Sequence, residues 1–243
     1  MSGPSTSFWV IVPAAGSSRR MADAALPKQY LQLAGRSVIE WSLAPFLARH
    51  DCAGVVVVLA AQDSHWKSLD AARHPLIRTV TGGARRADSV QCGLLALQGL
   101  AGPEDWVLVH DAARPCLRAG ELAALLNHLR GDAIGGLLAT PVVETLKRSD
   151  GSDRVAQTVD RNGLWRALTP QMFRYGALTH ALAMAAERGI SVTDEAQAIE
   201  LLGLRPRLVP GNVDNIKVTV MEDLARAEHI LALARQQTGD NKA

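Results

Sequence analysis

The sequence predicts an α/β fold, an open and mostly parallel twisted sheet with helices on both faces. The first indication is a set of apolar runs without polar alternation, which is typical of strands covered on both sides. These runs are residues 8–12, 54–60, 106–109 and 134–139, with a shorter one at 77–80. The second indication is that helix-like stretches separate the runs, as right-handed βαβ crossovers require.

The helices follow from local signals along the chain. Ser37 and Glu40 have the spacing of a capping box and begin an apolar-periodic helix that runs through Leu47. Further helices are predicted at 88–97, with Asp88 or Ser89 as N-cap, and at 119–129, 175–188, 194–202 and 221–237. Ligands of such sheets bind beyond the carboxyl ends of the strands. We therefore expect the loops after residues 12, 80 and 109 to meet at one site.

Residues 141–163 break the alternation of strands and helices. The segment is polar, with alternating pieces at 142–143 and 155–159 around a turn-like stretch at 148–152, which predicts a β-hairpin that leaves the main sheet. A lone two-stranded hairpin is marginal in water unless it packs on something. We expect a single domain, residues 1–243, with this hairpin as an arm at about 141–163.

Bulk properties exclude several classes of function. Lys and Arg number 26 against 24 Asp and Glu, and a net charge of +2 does not indicate a nucleic-acid partner. Cys52, Cys92 and Cys116 lack C-x-x-C spacing, which argues against a disulfide framework or a zinc site and favours a reducing cytoplasm. The longest apolar run, residues 55–61, is too short to span a bilayer, so no membrane association is expected.

A small-residue loop after the first strand is the main functional signal. Residues 10–28 read VIVPAAGSSRRMADAALPK, so Ala14, Ala15 and Gly16 let the backbone approach a ligand closely. Clustered N–H groups bind phosphate, and Arg20 and Lys28 add positive charge. This predicts a nucleoside triphosphate as ligand. Neither G-x-x-x-x-G-K-[ST] nor G-x-G-x-x-G is present, so the loop belongs to another class of nucleotide-binding protein.

The loop resembles the signature of sugar-nucleotide pyrophosphorylase-like nucleotidyltransferases, in which a glycine-rich turn with an Arg precedes a Pro-Lys pair. Five further blocks extend the likeness: GGARRADSV (82–90), VHDAARP (109–115), TVDRNGLWRALTPQ (158–171), TDEA (193–196) and DNIKVT (214–219). In this order they resemble the 2-C-methyl-D-erythritol 4-phosphate cytidylyltransferases of the non-mevalonate isoprenoid pathway. Ser18 departs from the pattern, since many members carry a second glycine there.

The resemblance implies a Rossmann-like nucleotidyltransferase that transfers the cytidylyl group of CTP to 2-C-methyl-D-erythritol 4-phosphate. The products are 4-diphosphocytidyl-2-C-methyl-D-erythritol and pyrophosphate. It also implies a homodimer with shared active sites, in which the hairpin arm carries the dimer contact, and Mg²⁺ or another divalent cation as cofactor. Two charged anions must meet, so catalysis requires charge neutralisation and in-line positioning rather than a nucleophilic triad.

The resemblance assigns candidate residues by the groups that they offer to the ligands. The cations for in-line attack at the α-phosphate are Arg20, Lys28 and Lys217. The residues for the nucleotide are Ala14, Ala15, Gly16, Gly83, Ser89 and Asp111. The residues for the acceptor substrate are Thr145, Arg161, Thr169, Thr193 and Lys217. Asp111 is also the candidate metal ligand, beside the CTP phosphates, although a ribose contact or a capping role suits it too.

Several alternatives stay open at this point. A cytidylyltransferase for another polyol phosphate, such as ribitol 5-phosphate, would share the nucleotide loops, and a protein that binds CTP without turnover is a rival of a different class. Thr193 also fits a plain helix start, and Arg114 fits a structural or a substrate role equally. No catalytic role is predicted for His110, because no nucleophile accompanies it and the reaction needs none.

Overall fold

The computed structural model describes residues 7–16 and 26–239, with side chains described as far as residue 236. In chain order the strands and α-helices are β1 (Phe8–Pro13), β2 (Gln32–Leu33), β3 (Arg36–Ser37), α1 (Val38–Leu47), β4 (Cys52–Leu59), β5 (Ile77–Thr81), α2 (Arg86–Leu95), β6 (Trp106–Val109), α3 (Ala119–Leu129), β7 (Gly135–Pro141), β8 (Leu146–Ser149), β9 (Val155–Val159), β10 (Trp165–Arg174), α4 (Tyr175–Glu187), α5 (Glu195–Glu200), β11 (Arg207–Pro210) and α6 (Met221–Gly239).

Seven strands form the main sheet in the order β11-β7-β10-β6-β1-β4-β5. All neighbours are parallel except β10, which runs antiparallel to β6 and to β7, so the prediction of a mostly parallel sheet is confirmed. Strand β10 was not predicted, because Pro170 argues against a central strand. The structure accommodates this proline at a register shift between Ala167 and Gln171, where β10 leaves its regular pairing with β7.

Helices cover both faces of the sheet, as the sequence predicts. Val10 and Val12 lie in the core that α1 and α3 complete, with Ile39 and Leu122 among its buried side chains. Ile11 points the other way, into a core shared with α2, α4 and α5. This alternation along β1 explains why the strand is apolar at every position.

Local capping sets where the helices begin. The Ser37–Glu40 capping box at the start of α1 is confirmed. The N-cap predicted at Asp88 or Ser89 is wrong, because α2 begins at Arg86 with Arg85 as its N-cap. Asp88 instead accepts a 3.1 Å hydrogen bond from the Arg85 N–H, which stabilises the first turn. Within the described ranges, no helix is both long and apolar enough to cross a bilayer.

The predicted hairpin exists as a separate two-stranded sheet of β8 and β9, which pair antiparallel. Its first strand was misplaced in the sequence prediction: residues 142–143 are not a strand, and the Val142 N–H donates 3.0 Å to the Leu164 carbonyl at the base of the arm. Val143 and Val155 remain 64% and 63% exposed. The arm therefore presents apolar side chains that its own chain does not cover.

The last helix packs beside the segment that precedes it. Ala227, Ile230 and Leu231 of α6 share a small core with Ala113 and Val218. The Val218 N–H donates 2.8 Å to the Ala113 carbonyl, so residues 217–218 are joined to the loop after β6. This contact fixes the chain next to Lys217.

Candidate functional site

The loops after β1, β5 and β6 meet at the carboxyl edge of the sheet, which confirms the expected location. Together with Lys28 and Lys217 they line one cavity, called here the front depression. Its predicted members are Ala14, Ala15, Gly16, Lys28, Gly83, Ser89, Asp111 and Lys217. The adjacent strand order β6-β1-β4-β5 brings these loops together, although more than 200 residues separate Ala14 from Lys217.

Two glycines let the loop after β5 lie against the start of α2. A Cβ on Gly82 would come 2.7 Å from the Ser89 Oγ, and one on Gly83 would come 2.5 Å from the Asp88 Cβ. The Ser89 hydroxyl donates 3.2 Å to the Arg85 carbonyl and is 2% exposed as a residue. A side chain at either glycine would therefore not fit against α2, so residues 82–83 offer only backbone groups to a ligand.

Buried Gln29, which the sequence analysis missed, connects Lys28 to the first strand. Its Nε2 donates 2.9 Å to the Ala14 carbonyl, while the Ala14 N–H donates 2.8 Å to the Val58 carbonyl. The short 3₁₀ turn of residues 28–30 is thereby attached to the end of β1. The sequence carries no signal for this role, because glutamine is mostly exposed and its amide is then satisfied by water.

Asp111 lies at the centre of a cluster of positive charge. Its Oδ1 is 3.0 Å from the Arg86 Nε, and its Oδ2 is 2.9 Å from the Lys217 Nζ and 3.3 Å from the Arg114 Nε. Burial alone would raise the pKa of Asp111, but the three cations hold that pKa well below its usual range. The carboxylate is therefore ionised at any physiological pH and organises the cations around it.

His110, next to Asp111, is a neutral structural residue. Burial lowers the pKa of His110 to about 4. Its Nε2–H donates to the Arg114 carbonyl at 3.2 Å, so its Nδ1 accepts from the Thr169 hydroxyl at 3.0 Å. The same hydroxyl accepts 3.1 Å from the Asp111 N–H. This chain of hydrogen bonds locks the end of β6 onto β10.

A second cavity, the side depression, adjoins the first on the β10 side. It is lined by Ala167, Leu168, Thr169, Gln171, Thr193 and Asp194, and it shares Arg86, Asp111 and Lys217 with the front depression, while Arg114 completes it. Thr193 is exposed, and its N–H and hydroxyl both donate to the Gln197 side chain, at 2.6 and 3.1 Å. Lys217 thus stands between two cavities, where it can contact a ligand in either.

The structure does not bring every candidate into these cavities. Arg20 lies outside the described residues, as does Ser18. Thr145 and Arg161 belong to the exposed arm and line neither depression. The Arg161 guanidinium donates to the Val143 carbonyl within the arm. The assignments of these residues stay predictions.

The comparison with known proteins agrees with this geometry. A family model described as IspD, 2-C-methyl-D-erythritol 4-phosphate cytidylyltransferase, matches residues 8–233. The chain belongs to this cytidylyltransferase family. Members of the family are cytidylyltransferases, a type of nucleotidyltransferase, of isoprenoid biosynthesis.

Close relatives span nearly the whole chain. The 2-C-methyl-D-erythritol 4-phosphate cytidylyltransferase of Ectopseudomonas mendocina is 55% identical over 91% of this chain and 94% of its own length. That of Pseudomonas aeruginosa strain UCBPP-PA14 is 52% identical with the same coverage. A crystal structure of 4-diphosphocytidyl-2C-methyl-D-erythritol synthase superposes with a TM-score of 0.80 at 38% identity, covering 93% of this chain and 98% of its own. The Francisella tularensis enzyme also gives 0.80, at 31% identity and 92% and 99% coverage.

Proposed function

We propose that the chain transfers the cytidylyl group of CTP to 2-C-methyl-D-erythritol 4-phosphate and releases pyrophosphate. The observation that carries this proposal is the pair of adjoining depressions that share Lys217 and Asp111. A reaction between two anions requires two neighbouring sites with cations at their junction. The family membership supports the substrate pair, and the two adjoining depressions are consistent in number with one site for each.

The chemistry follows from the charges at this junction. A phosphate monoester has a second pKa of about 6, so the acceptor is largely a dianion at neutral pH and needs no general base. We assign Lys28 and Lys217, with Arg20 of the same loop, to the charge that develops at the α-phosphate. Lys217 lies 2.9 Å from Asp111 and is held there before substrate binds, which lowers the cost of positioning it.

The base and ribose of CTP fit the small-residue half of the front depression. We assign the cytosine to main-chain groups of Ala14, Ala15 and Gly83 and to the Ser89 hydroxyl. The phosphates are assigned to the Gly16 backbone. The Ala14 N–H already donates to the Val58 carbonyl, and the Ala14 carbonyl already accepts one hydrogen bond from Gln29. Ala14 can therefore offer a base only the second lone pair of its carbonyl oxygen.

A divalent cation fits this site only if the nucleotide brings most of its ligands. Asp111 is the one acidic side chain among the described residues that line the front depression, and no group of three or more His, Cys, Asp or Glu side chains among them is arranged to hold a metal. Mg²⁺ takes one or two carboxylates beside substrate phosphates, and Asp111 offers one. Both of its oxygens already pair with Arg86, Lys217 and Arg114, so it would be a minor ligand beside the phosphates. When bound, Mg²⁺ neutralises triphosphate charge, and Asp111 would hold it on the protein side.

Two of the residues assigned to the acceptor, Thr145 and Arg161, are not among the described residues that line the depressions of their own chain. We propose a homodimer of single-domain subunits in which the arm, at about residues 141–163, carries Thr145 and Arg161 into the partner's side depression. Thr169 and Thr193 already line that depression. The exposed apolar side chains of the arm support a covered position in the dimer. Cys52, Cys92 and Cys116 are free thiols, which supports the cytoplasm as the compartment.

The test is pyrophosphate release from CTP, Mg²⁺ and a panel of polyol phosphates that includes ribitol 5-phosphate. We expect turnover with 2-C-methyl-D-erythritol 4-phosphate and little with the others. Preference for ribitol 5-phosphate would replace the proposed acceptor. Saturable CTP binding without pyrophosphate release from any acceptor would show a nucleotide-binding protein instead of an enzyme.

A further inference from the structure

A buried acidic residue outside both depressions controls how their shared charges are arranged. Glu195, the first residue of α5, is 1% exposed and lines neither cavity. Its two oxygens accept from the two Nη atoms of Arg86, at 2.6 and 3.0 Å. This bidentate geometry fixes the plane of the guanidinium as well as its position.

The remaining nitrogen of the Arg86 guanidinium contacts Asp111, which lines both depressions. Arg86 Nε donates 3.0 Å to Asp111 Oδ1, and the other oxygen of Asp111 is 2.9 Å from Lys217 Nζ. The charges therefore alternate along a chain from Glu195 through Arg86 and Asp111 to Lys217. Only the first member is out of reach of a ligand in either depression.

Burial couples Glu195 to Arg86. A buried carboxylate is costly without a partner, and its partner is Arg86, the first residue of α2, although 109 residues separate the two in sequence. Without the Glu195 carboxylate, the two Nη atoms of Arg86 would lose their acceptors. The guanidinium would then rotate to donate a second hydrogen bond to Asp111. That bond would compete with Lys217 for the Asp111 carboxylate, and the Lys217 ammonium would be less firmly positioned.

We propose that Glu195 is a positioning residue of the transfer reaction, acting through Arg86 and Asp111 on the lysine between the two depressions. The inference rests on the proposed function, since it concerns the rate of that reaction. The TDEA block (193–196) then has a role that does not require substrate contact. The start of α5 places the Glu195 carboxylate next to Arg86 and outside both depressions. Glu195 would affect the alignment of the two substrates more than the binding of either one.

The experiment compares Glu195→Gln with a matched control at the opposite edge of the sheet. Asp51 also receives a bidentate arginine, with Arg49 Nε and Nη2 at 2.8 and 2.7 Å, and its side chain is 8% exposed against 1% for Glu195. It precedes β4 and lines neither depression. We expect Glu195→Gln to lower kcat about ten-fold or more, because small misplacements at a reacting centre cost that much, and to leave the KM for CTP within about two-fold. Asp51→Asn should lower the Tm and leave kcat unchanged.

A double variant keeps the proposal testable if the single one folds poorly. Arg86→Gln with Glu195→Gln removes both members of the buried pair, so neither charge is left unpaired. If Glu195 acts through Arg86, kcat of the double variant equals that of Arg86→Gln alone. A further loss in the double variant, or kcat values of Glu195→Gln and Asp51→Asn that match, would overturn the positioning role. Wild-type protein that releases no pyrophosphate would instead refute the proposed function, which distinguishes the two failures.

Discussion

The proposal of shared active sites can be tested by mixing two inactive proteins. Lys28→Ala damages the front depression, and Arg161→Ala damages the arm. Arg161 lines neither depression of its own chain, and β8 and β9 are largely exposed. If the arm serves the partner subunit, a mixed dimer combines both lesions in one site and leaves the other site intact.

The expected recovery follows from the symmetry of a two-site dimer. Random subunit exchange makes about half of the dimers mixed, and half of the sites in those dimers are intact, so activity returns to roughly a quarter of wild type. The assay is pyrophosphate release before and after exchange, with the mixed species confirmed by native mass spectrometry. A double variant carrying both lesions, mixed with wild type, is the matched control, because it produces no new intact site.

An arm that acts on its own subunit predicts a different result. Every site in every dimer would then keep one lesion, whatever the mixing. Activity that stays at the level of the two parents, although mixed dimers are present by mass, would refute the shared site.

The remaining predictions concern the cations, the metal and acid stability. Lys28→Ala should lower kcat by about 10² or more with a smaller effect on the KM for CTP, because the ammonium acts mainly on the transition state; near-normal kcat would reject that role. Removal of divalent cations by EDTA should abolish turnover and Mg²⁺ should restore it, whereas an unchanged rate would exclude the metal. Burial raises the pKa of Asp51 while Arg49 and Arg130 lower it, with the net result about 2. Its stabilisation is therefore present above about pH 4 and lost as the pH falls towards 2; urea midpoints of wild type and Asp51→Asn should converge over that range, and a constant gap would contradict this.

The sheet and its helices were predictable because each has a local signal. Strand β4 is a run of valines, and α1 begins with a capping box, so neither depends on the rest of the chain for recognition. Strand β10 has no such signal, since Pro170 interrupts it and its first three residues, Trp165 to Ala167, are exposed while the next six are buried. Its place between β6 and β7 is decided by tertiary packing, which overrides local preference.

The candidate site was predictable as far as its residues occur in contiguous motifs. Topology brings the ends of β1, β5 and β6 together, so Gly83 and Asp111 could be placed in advance. Arg114 was recognisable as an ion-pair partner, because it lies only three positions after Asp111. The pairing of Asp111 with Arg86 and Lys217 was not, because these residues lie far from it in sequence and leave no spacing to recognise. The same holds for Arg86 and Glu195. A buried carboxylate in a helix start looks, in sequence, like an ordinary capping residue.

The packing of α6 beside Lys217 also bears on how the site is assembled during folding. Val218 is covered by Ala227, Ile230 and Leu231 of α6. Strands β1, β4, β5 and β6, in contrast, draw on two larger cores that contain no residue of α6. The chain beside the lysine between the two depressions is therefore completed only when α6 docks. Truncations or fusions that disturb α6 would reach the reacting groups from outside the site.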